Sequence, residues 1–272
     1  MYARQFYAKT AFREMSARKS WSSTVLCLLQ NPPRICEYIS KDRMSIAENI
    51  AKIEERIQKA CDSAGRKRDE ITLMGVSKFV PLGMVEEAFR ARIRCFGESR
   101  VHEGTEKFET FKREHPEAQV HLIGSLQRNK AKPAALFFDC IQSIDREQII
   151  GELAKHVHQL EKPLEILFEL HTGEETKSGF ADLDGLFKAA EMVLGGANLK
   201  PSGLMTMAPF TEDTGLIRSS FRKLVKAQEE LEKRFPPKEN WKCLSMGMSN
   251  DFEIAIEEGS NLLRIGSLIF KA

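Results

Sequence analysis

Leu244–Phe270 reads LSMGMSNDFEIAIEEGSNLLRIGSLIF, and its pattern decides the fold. Two short apolar runs each end at a small-residue turn, Ser245-Met246-Gly247-Met248-Ser249 and Arg264-Ile265-Gly266-Ser267. Between them lies a segment of helical period. Asn250 and Glu253 have the spacing of a capping box, Phe252, Ala255 and Ile256 share one face, and Gly259 is placed to stop the helix. Strand, turn, helix, strand, turn is a βα unit followed by the start of another. Both turns offer backbone N–H groups and hydroxyls at the same end of a sheet, which suits a phosphate. In a (β/α)₈ barrel a phosphate site often lies on the loops after strands seven and eight.

Six more strands are therefore expected upstream. Apolar runs occur at Ile71–Val76, Ile93–Phe96, Val120–Ile123, Phe138–Ile144, Leu164–Leu170 and Leu204–Met207, before Lys242–Met246 and Leu262–Ile265. Helical periods separate them at 82–91, 100–113, 127–136, 146–160, 181–194, 214–234 and 250–258. The alternation predicts an α/β chain forming a single TIM-type (β/α)₈ barrel, with an open doubly wound sheet as the alternative. No G-x-G-x-x-G follows the first strand, which counts against the open sheet. Ahead of strand one, Ser45 and Glu48 are spaced as a capping box. Ile46, Ile50, Ile53 and Ile57 line one face, and Gly65 ends the run. This amphipathic helix is expected to cover the bottom of the barrel.

Composition bounds the rest. The chain has 272 residues, 42% apolar and 29% charged, with a formal net charge of +2. Residues 1–43 carry eight Lys/Arg against three Asp/Glu, +5, which leaves −3 for residues 44–272. The body shows no electrostatic footprint for nucleic acid. Residues 1–43 are read as a basic extension outside the fold and 44–272 as the barrel domain. A transit peptide, and hence organellar import, is the alternative to a cytoplasmic protein. No apolar run approaches the length of a membrane span. Six scattered cysteines form no C-x-x-C, which argues for a reducing compartment and against metal.

Gly, Ser and charged residues gather just after the expected strands, where a barrel keeps its chemistry. Lys78 ends strand one in an apolar frame of Val76, Phe79 and Val80. Loss of solvation there would lower its pKa and make it a nucleophile toward aldehydes; a snorkelling lysine fits the same spacing. Arg264 precedes the last turn, where it could meet a ligand or an acidic neighbour. Asp145, Glu174 and Glu175 read as caps or loop charges. An amine at one end and a phosphate cradle at the other would suit a phosphorylated aldehyde, pyridoxal 5′-phosphate (PLP) or a phosphosugar.

The run VSKFVP, together with FGESRVHE, HLIGSLQRNK, TGEETKSGF, GLMTMAP, LSMGMSNDFEIAIEEGS and RIGSLIF in that order, resembles the pyridoxal-phosphate homeostasis family over roughly residues 46–270. That family is similar to the barrel domain of alanine racemase standing alone. The resemblance implies PLP as cofactor and Lys78 as the lysine of its internal aldimine. It implies Ser245, Met246, Gly247, Ser249, Gly266 and Ser267 as phosphate-binding elements, Ser99 beside the cofactor, and Arg264 against the pyridine nitrogen. An arginine there disfavours the protonated ring and weakens it as an electron sink. With the sequence stopping at Ala272, the expectation is a monomeric PLP carrier without catalysis of its own, possible recipients being PLP-dependent apo-enzymes. The alternative is a racemase or decarboxylase using the same lysine. The sequence departs from the family pattern at Ser99, usually asparagine, at His102, at Ser125 and at Lys271, which puts the ring-side contacts in question.

Overall fold

The computed structural model describes residues 44–158, 160–173, 178–196 and 198–271. The extension, residues 1–43, lies outside them, as do Glu174 and Glu175. The first element is helix α1 (Ile46–Ala64). Its capping box forms as expected: Glu48 N donates to Ser45 Oγ over 3.2 Å and Ser45 N to Glu48 Oε2 over 2.8 Å. Gly65 closes the helix in the left-handed region at φ 66°.

Eight parallel strands then close into a barrel in sequence order, β1 beside β2 and on to β8, which pairs back with β1. They are β1 (Thr72–Val76), β2 (Cys95–Glu98), β3 (Gln119–Leu122), β4 (Cys140–Ile144), β5 (Leu164–Glu169), β6 (Leu199–Met205), β7 (Cys243–Ser245) and β8 (Leu262–Ile265). The outer helices are α2 (Leu82–Arg90), α3 (Val101–Glu114), α4 (Ala131–Phe137), α5 (Glu147–Val157), α6 (Leu183–Leu194), α7 (Thr214–Arg234) and α8 (Phe252–Glu257), with a final turn, α9 (Ser267–Phe270). Each helix sends its apolar face onto the sheet; Phe96, Phe108 and Phe111 form one such aromatic layer.

Two expectations need correction. Helix α1 packs against α8, α9 and α2 in the outer ring, not across the bottom. Among the described residues the short α9 follows β8, and α1 packs beside it in the outer ring. Arg56 fastens it there, paired with Glu253 and stacked 4.5 Å over the Phe252 ring. Strand β6 starts at Leu199, five residues ahead of the expected Leu204. Pro201 and Gly203 disguise it, and a register shift against β5 falls between Ile166 and Leu167. Gly203 has φ 149°, and a Cβ there would lie 1.9 Å from the Cys243 carbonyl oxygen.

The barrel interior is divided. Met74, Cys95 and Leu262 form one small apolar cluster, and Cys140, Leu167 and Met205 another. Buried polar side chains also occupy the strands: His121, Gln142, Ser245 and Arg264. Among the described residues no helix is long and apolar enough to cross a membrane, and no group of three or more His, Cys, Asp or Glu could hold a metal.

Candidate cofactor site

A cavity of about 840 Å³ opens at the C-terminal end of the strands. Its walls bring together Lys78, Ser99, Ser249, Arg264, Gly266 and Ser267.

Lys78 sits in a tight turn at the end of β1, closed by Val80 N donating to the Ser77 carbonyl over 2.9 Å. Phe79 takes φ 62°, a region that bulky residues avoid at a cost of about 1–3 kcal/mol. A buried polar cluster behind the turn holds it. Ser77 Oγ donates to Glu98 Oε1 over 2.7 Å, and Lys107 Nζ donates both to that oxygen and to the Ser77 carbonyl, each over 2.8 Å. The left-handed turn swings the Phe79 ring outward, 74% exposed, where Arg100 lies 5.6 Å over it. Lys78 is therefore exposed on the cavity wall instead of enclosed in the apolar frame expected from its neighbours. It makes no hydrogen bond or ion pair to a described residue, so its amine is available to a ligand.

On the neighbouring strand β8, Arg264 is 5% exposed. Nη1 donates to the Ser245 carbonyl and to Ser245 Oγ, over 2.6 and 2.7 Å, and Nη2 to the Thr206 carbonyl over 2.7 Å. Three of five donors are thus used by the protein. The Nε–H and the second Nη2–H bond to no described residue, and Nε is not sealed by packing, which leaves it free toward the cavity that Arg264 lines. Burial pulls the guanidinium down to about 10, against the opposing fields of Asp251 and Glu169. Burial in turn pushes both of those carboxyls up.

The two turns after β7 and β8 meet. Ser267 Oγ donates to Ser249 Oγ over 2.9 Å. Among the described residues the amide N–H groups of Ser249, Asn250 and Ser267 have no acceptor. The capping box expected from Asn250 and Glu253 does not form. Asp251 is the N-cap of α8; its Oδ1 accepts from Met248 N over 2.5 Å, which ties down the turn, while Glu253 is drawn away by Arg56. Gly247, at φ 97°, permits the close approach of this turn to α8, since a Cβ would come within 2.6 Å of Ala255 Cβ.

The structure separates the other candidates. Ser245 lies under the cavity floor with its hydroxyl committed to Arg264 and Gln142, Met246 is in the core, and Gly247 is buried behind the turn. None of these three lines the cavity. Ser99 is on the cavity wall, but its Oγ is sealed by packing and has no partner among the described residues. Ser125 also lines the wall, 3.5 Å from Asp145 Oδ2. Sequence reasoning missed Glu169 and Asp251 as wall residues and missed the Glu98–Lys107 pair. The signal for that pair was a glutamate at the end of a buried strand with a lysine nine residues on.

A family model described as alanine racemase, N-terminal domain, matches residues 44–272. The pyridoxal phosphate homeostasis protein of Aquifex aeolicus is 37% identical over 227 residues, covering 84% of this chain and 98% of its own. That of Vibrio cholerae is 38% identical over 229 residues, 83% and 95% respectively. The structure of PipY from Synechococcus elongatus with PLP bound aligns with a TM-score of 0.72 at 27% identity, covering 83% of this chain and all of that one.

Proposed function

This chain belongs to the alanine racemase N-terminal domain family and, within it, to the pyridoxal phosphate homeostasis proteins, and from that premise we propose that it binds PLP and serves PLP homeostasis as a non-catalytic carrier. One observation carries the reading. Lys78, Arg264 and the Ser249–Ser267 turn pair line one cavity, matching the three parts of PLP: aldehyde, ring nitrogen and phosphate.

The residues present fit the group. Lys78 Nζ is unpartnered and can condense with the aldehyde carbon, losing one water and holding the cofactor covalently. The open N–H groups of Ser249, Asn250 and Ser267, with two hydroxyls, can take the phosphate oxygens. Arg264 Nε–H can donate to an unprotonated ring nitrogen. Ser99, on the same wall, is the residue we place beside the ring. Gly266 cannot gain a side chain without crowding Val76, whose carbonyl would lie 3.1 Å from the new Cβ.

When bound, PLP supplies an electron sink for carbanion chemistry. A fixed guanidinium at the ring nitrogen weakens that sink, because a protonated ring beside it would be disfavoured. Racemisation or decarboxylation also needs a group to move the substrate proton. Lys78 and the carboxyls of Glu169 and Asp251 are the wall groups that could do so, so it is the weakened sink that favours a carrier over the racemase or decarboxylase reading. We take the carrier to act as a monomer, and PLP-dependent apo-enzymes are the proposed recipients. The reading is tested by incubating the purified protein with PLP, removing the excess, and assaying retained cofactor together with turnover of L- and D-amino acids. Stoichiometric PLP without turnover is expected. Sustained racemisation or decarboxylation would overturn the carrier assignment, and absence of retained PLP would overturn the binding assignment.

A further inference from the structure

A chain of hydrogen bonds crosses the barrel interior from Arg264 to Cys95. Arg264 Nη1 donates to Ser245 Oγ over 2.7 Å, and Ser245 Oγ donates to Gln142 Oε1 over 2.7 Å. Gln142 Nε2 lies 2.9 Å from His121 Nδ1, and His121 Nε2 lies 3.7 Å from Cys95 Sγ. The links join β8, β7, β4, β3 and β2. All five side chains are buried, and none of the three in the middle lines the cavity.

The chemistry of each link fixes the next. A guanidinium only donates, so Ser245 Oγ accepts from it, and its single proton goes onward. Gln142 must then present its carbonyl oxygen to Ser245, which turns its amide nitrogen toward His121. An amide N–H₂ only donates, so Nδ1 accepts and the histidine proton sits on Nε2, facing the sulfur. The arginine thus determines the tautomer of a histidine three links away. The reverse also holds. A protonated His121 would set two donors against each other at Gln142. Flipping the amide would then leave Ser245 Oγ facing donors on both sides. Burial agrees with this, pulling the His121 imidazole down to about 4.

We propose that Gln142 and His121 are positioning residues for Arg264, holding the guanidinium so that its Nε–H stays aimed at the cavity. In the PLP reading, on which the second half of the test rests, they fix the donor that faces the ring nitrogen. The two backbone carbonyls that Arg264 also meets accept from either nitrogen of a rotated guanidinium. The directed bond to Ser245 Oγ, backed by Gln142, is the one that distinguishes one orientation.

The test uses the intact protein with two readouts. In the ligand-free, ¹⁵N-labelled protein, hydrogen exchange at Arg264 Nη1, the nitrogen that Ser245 anchors, is measured by NMR for wild type, Gln142→Leu and Ser245→Ala. Losing one anchoring bond should speed exchange about fivefold or more in both variants. His121→Asn, whose amide oxygen can still accept from Gln142, should stay close to wild type, whereas His121→Leu should follow Gln142→Leu. Thermal unfolding checks that each variant folds, and Ser245→Ala, the smallest change, keeps the test open if Gln142→Leu does not. In the second readout the proteins are loaded with PLP ¹⁵N-labelled in the ring. The wild-type ring nitrogen should keep an unprotonated shift between about pH 6 and about pH 9, and that of Gln142→Leu should move toward the protonated position as pH falls. Unchanged Nη1 exchange in Gln142→Leu and Ser245→Ala would overturn the inference. Failure of wild type to take up PLP would overturn the carrier reading instead, leaving the exchange result to decide the positioning roles.

Discussion

Lowering the pH from about 7.5 to about 5 should destabilise this protein through one side chain, His121. Its imidazole is buried in the barrel, and the loss of solvation pulls it from the ordinary 6.5 down to about 4. The unfolded chain binds the proton first as pH falls. Stability is therefore fully present above about 6.5 and is lost progressively down to about 4, below which the loss is complete. At about pH 5, some one and a half units below the unfolded value, that loss is about 2 kcal/mol at 1.36 kcal/mol per unit. The carboxyls of Asp145, Glu169 and Asp251, pushed up by burial, act in the opposite sense and become less costly as pH falls. A comparison removes them. His121→Asn shares those carboxyls, accepts from Gln142 and cannot be protonated. Urea unfolding of both proteins at a series of pH values gives the difference in stability. That difference should narrow in favour of the variant by about 2 kcal/mol between about pH 7.5 and about pH 5. Parallel pH profiles would show that His121 titrates alike in the folded and unfolded chains. The one-way chain of donors built on its neutral form would then be wrong.

Other consequences are smaller in scope. Lys107→Met removes the cation from buried Glu98, whose Oε2 already lacks a partner; urea unfolding should show a loss of about 3–5 kcal/mol. Gly247→Ala forces a Cβ against Ala255 at a left-handed φ and should cost about 2 kcal/mol or more by the same measurement. Replacing both Ser249 and Ser267 with alanine, which leaves the amide donors in place, should weaken PLP binding about five- to thirtyfold in an equilibrium titration without lowering the melting temperature of the ligand-free protein.

Much of this could be read before any coordinates. The capping box at Ser45 and the isoleucine stripe gave α1 to the residue, and the βα alternation gave the barrel order. Local signals sufficed because each helix buries a face defined by its own period. Where they failed, a distant residue intervened. Arg56, almost two hundred residues away, takes Glu253 from the expected capping box. Pro201 and Gly203 read as breakers because the bulge against β5 that accommodates them is set by another strand. The position of α1 depends on packing against α8, α9 and α2, which no local pattern of α1 encodes. At the site, Lys78, Arg264, Ser249 and Ser267 were legible as strand-end residues. Ser245 was misleading, since its turn was recognisable and the direction of its side chain was not. Gln142 and His121 left a fainter mark as polar residues inside apolar strands, CIQSI and QVHL. Their partners lie across the barrel, where pairing depends on strand register and not on spacing in sequence.

The central claim, PLP held through Lys78, is tested most directly by reducing the PLP-treated protein with borohydride and mapping the modified peptide by mass spectrometry. The account predicts loss of the visible absorbance, one reduced pyridoxal-phosphate adduct per chain, and its location on Lys78, with no adduct in Lys78→Ala. An adduct spread over surface lysines, or one that persists at equal stoichiometry in Lys78→Ala, would contradict it.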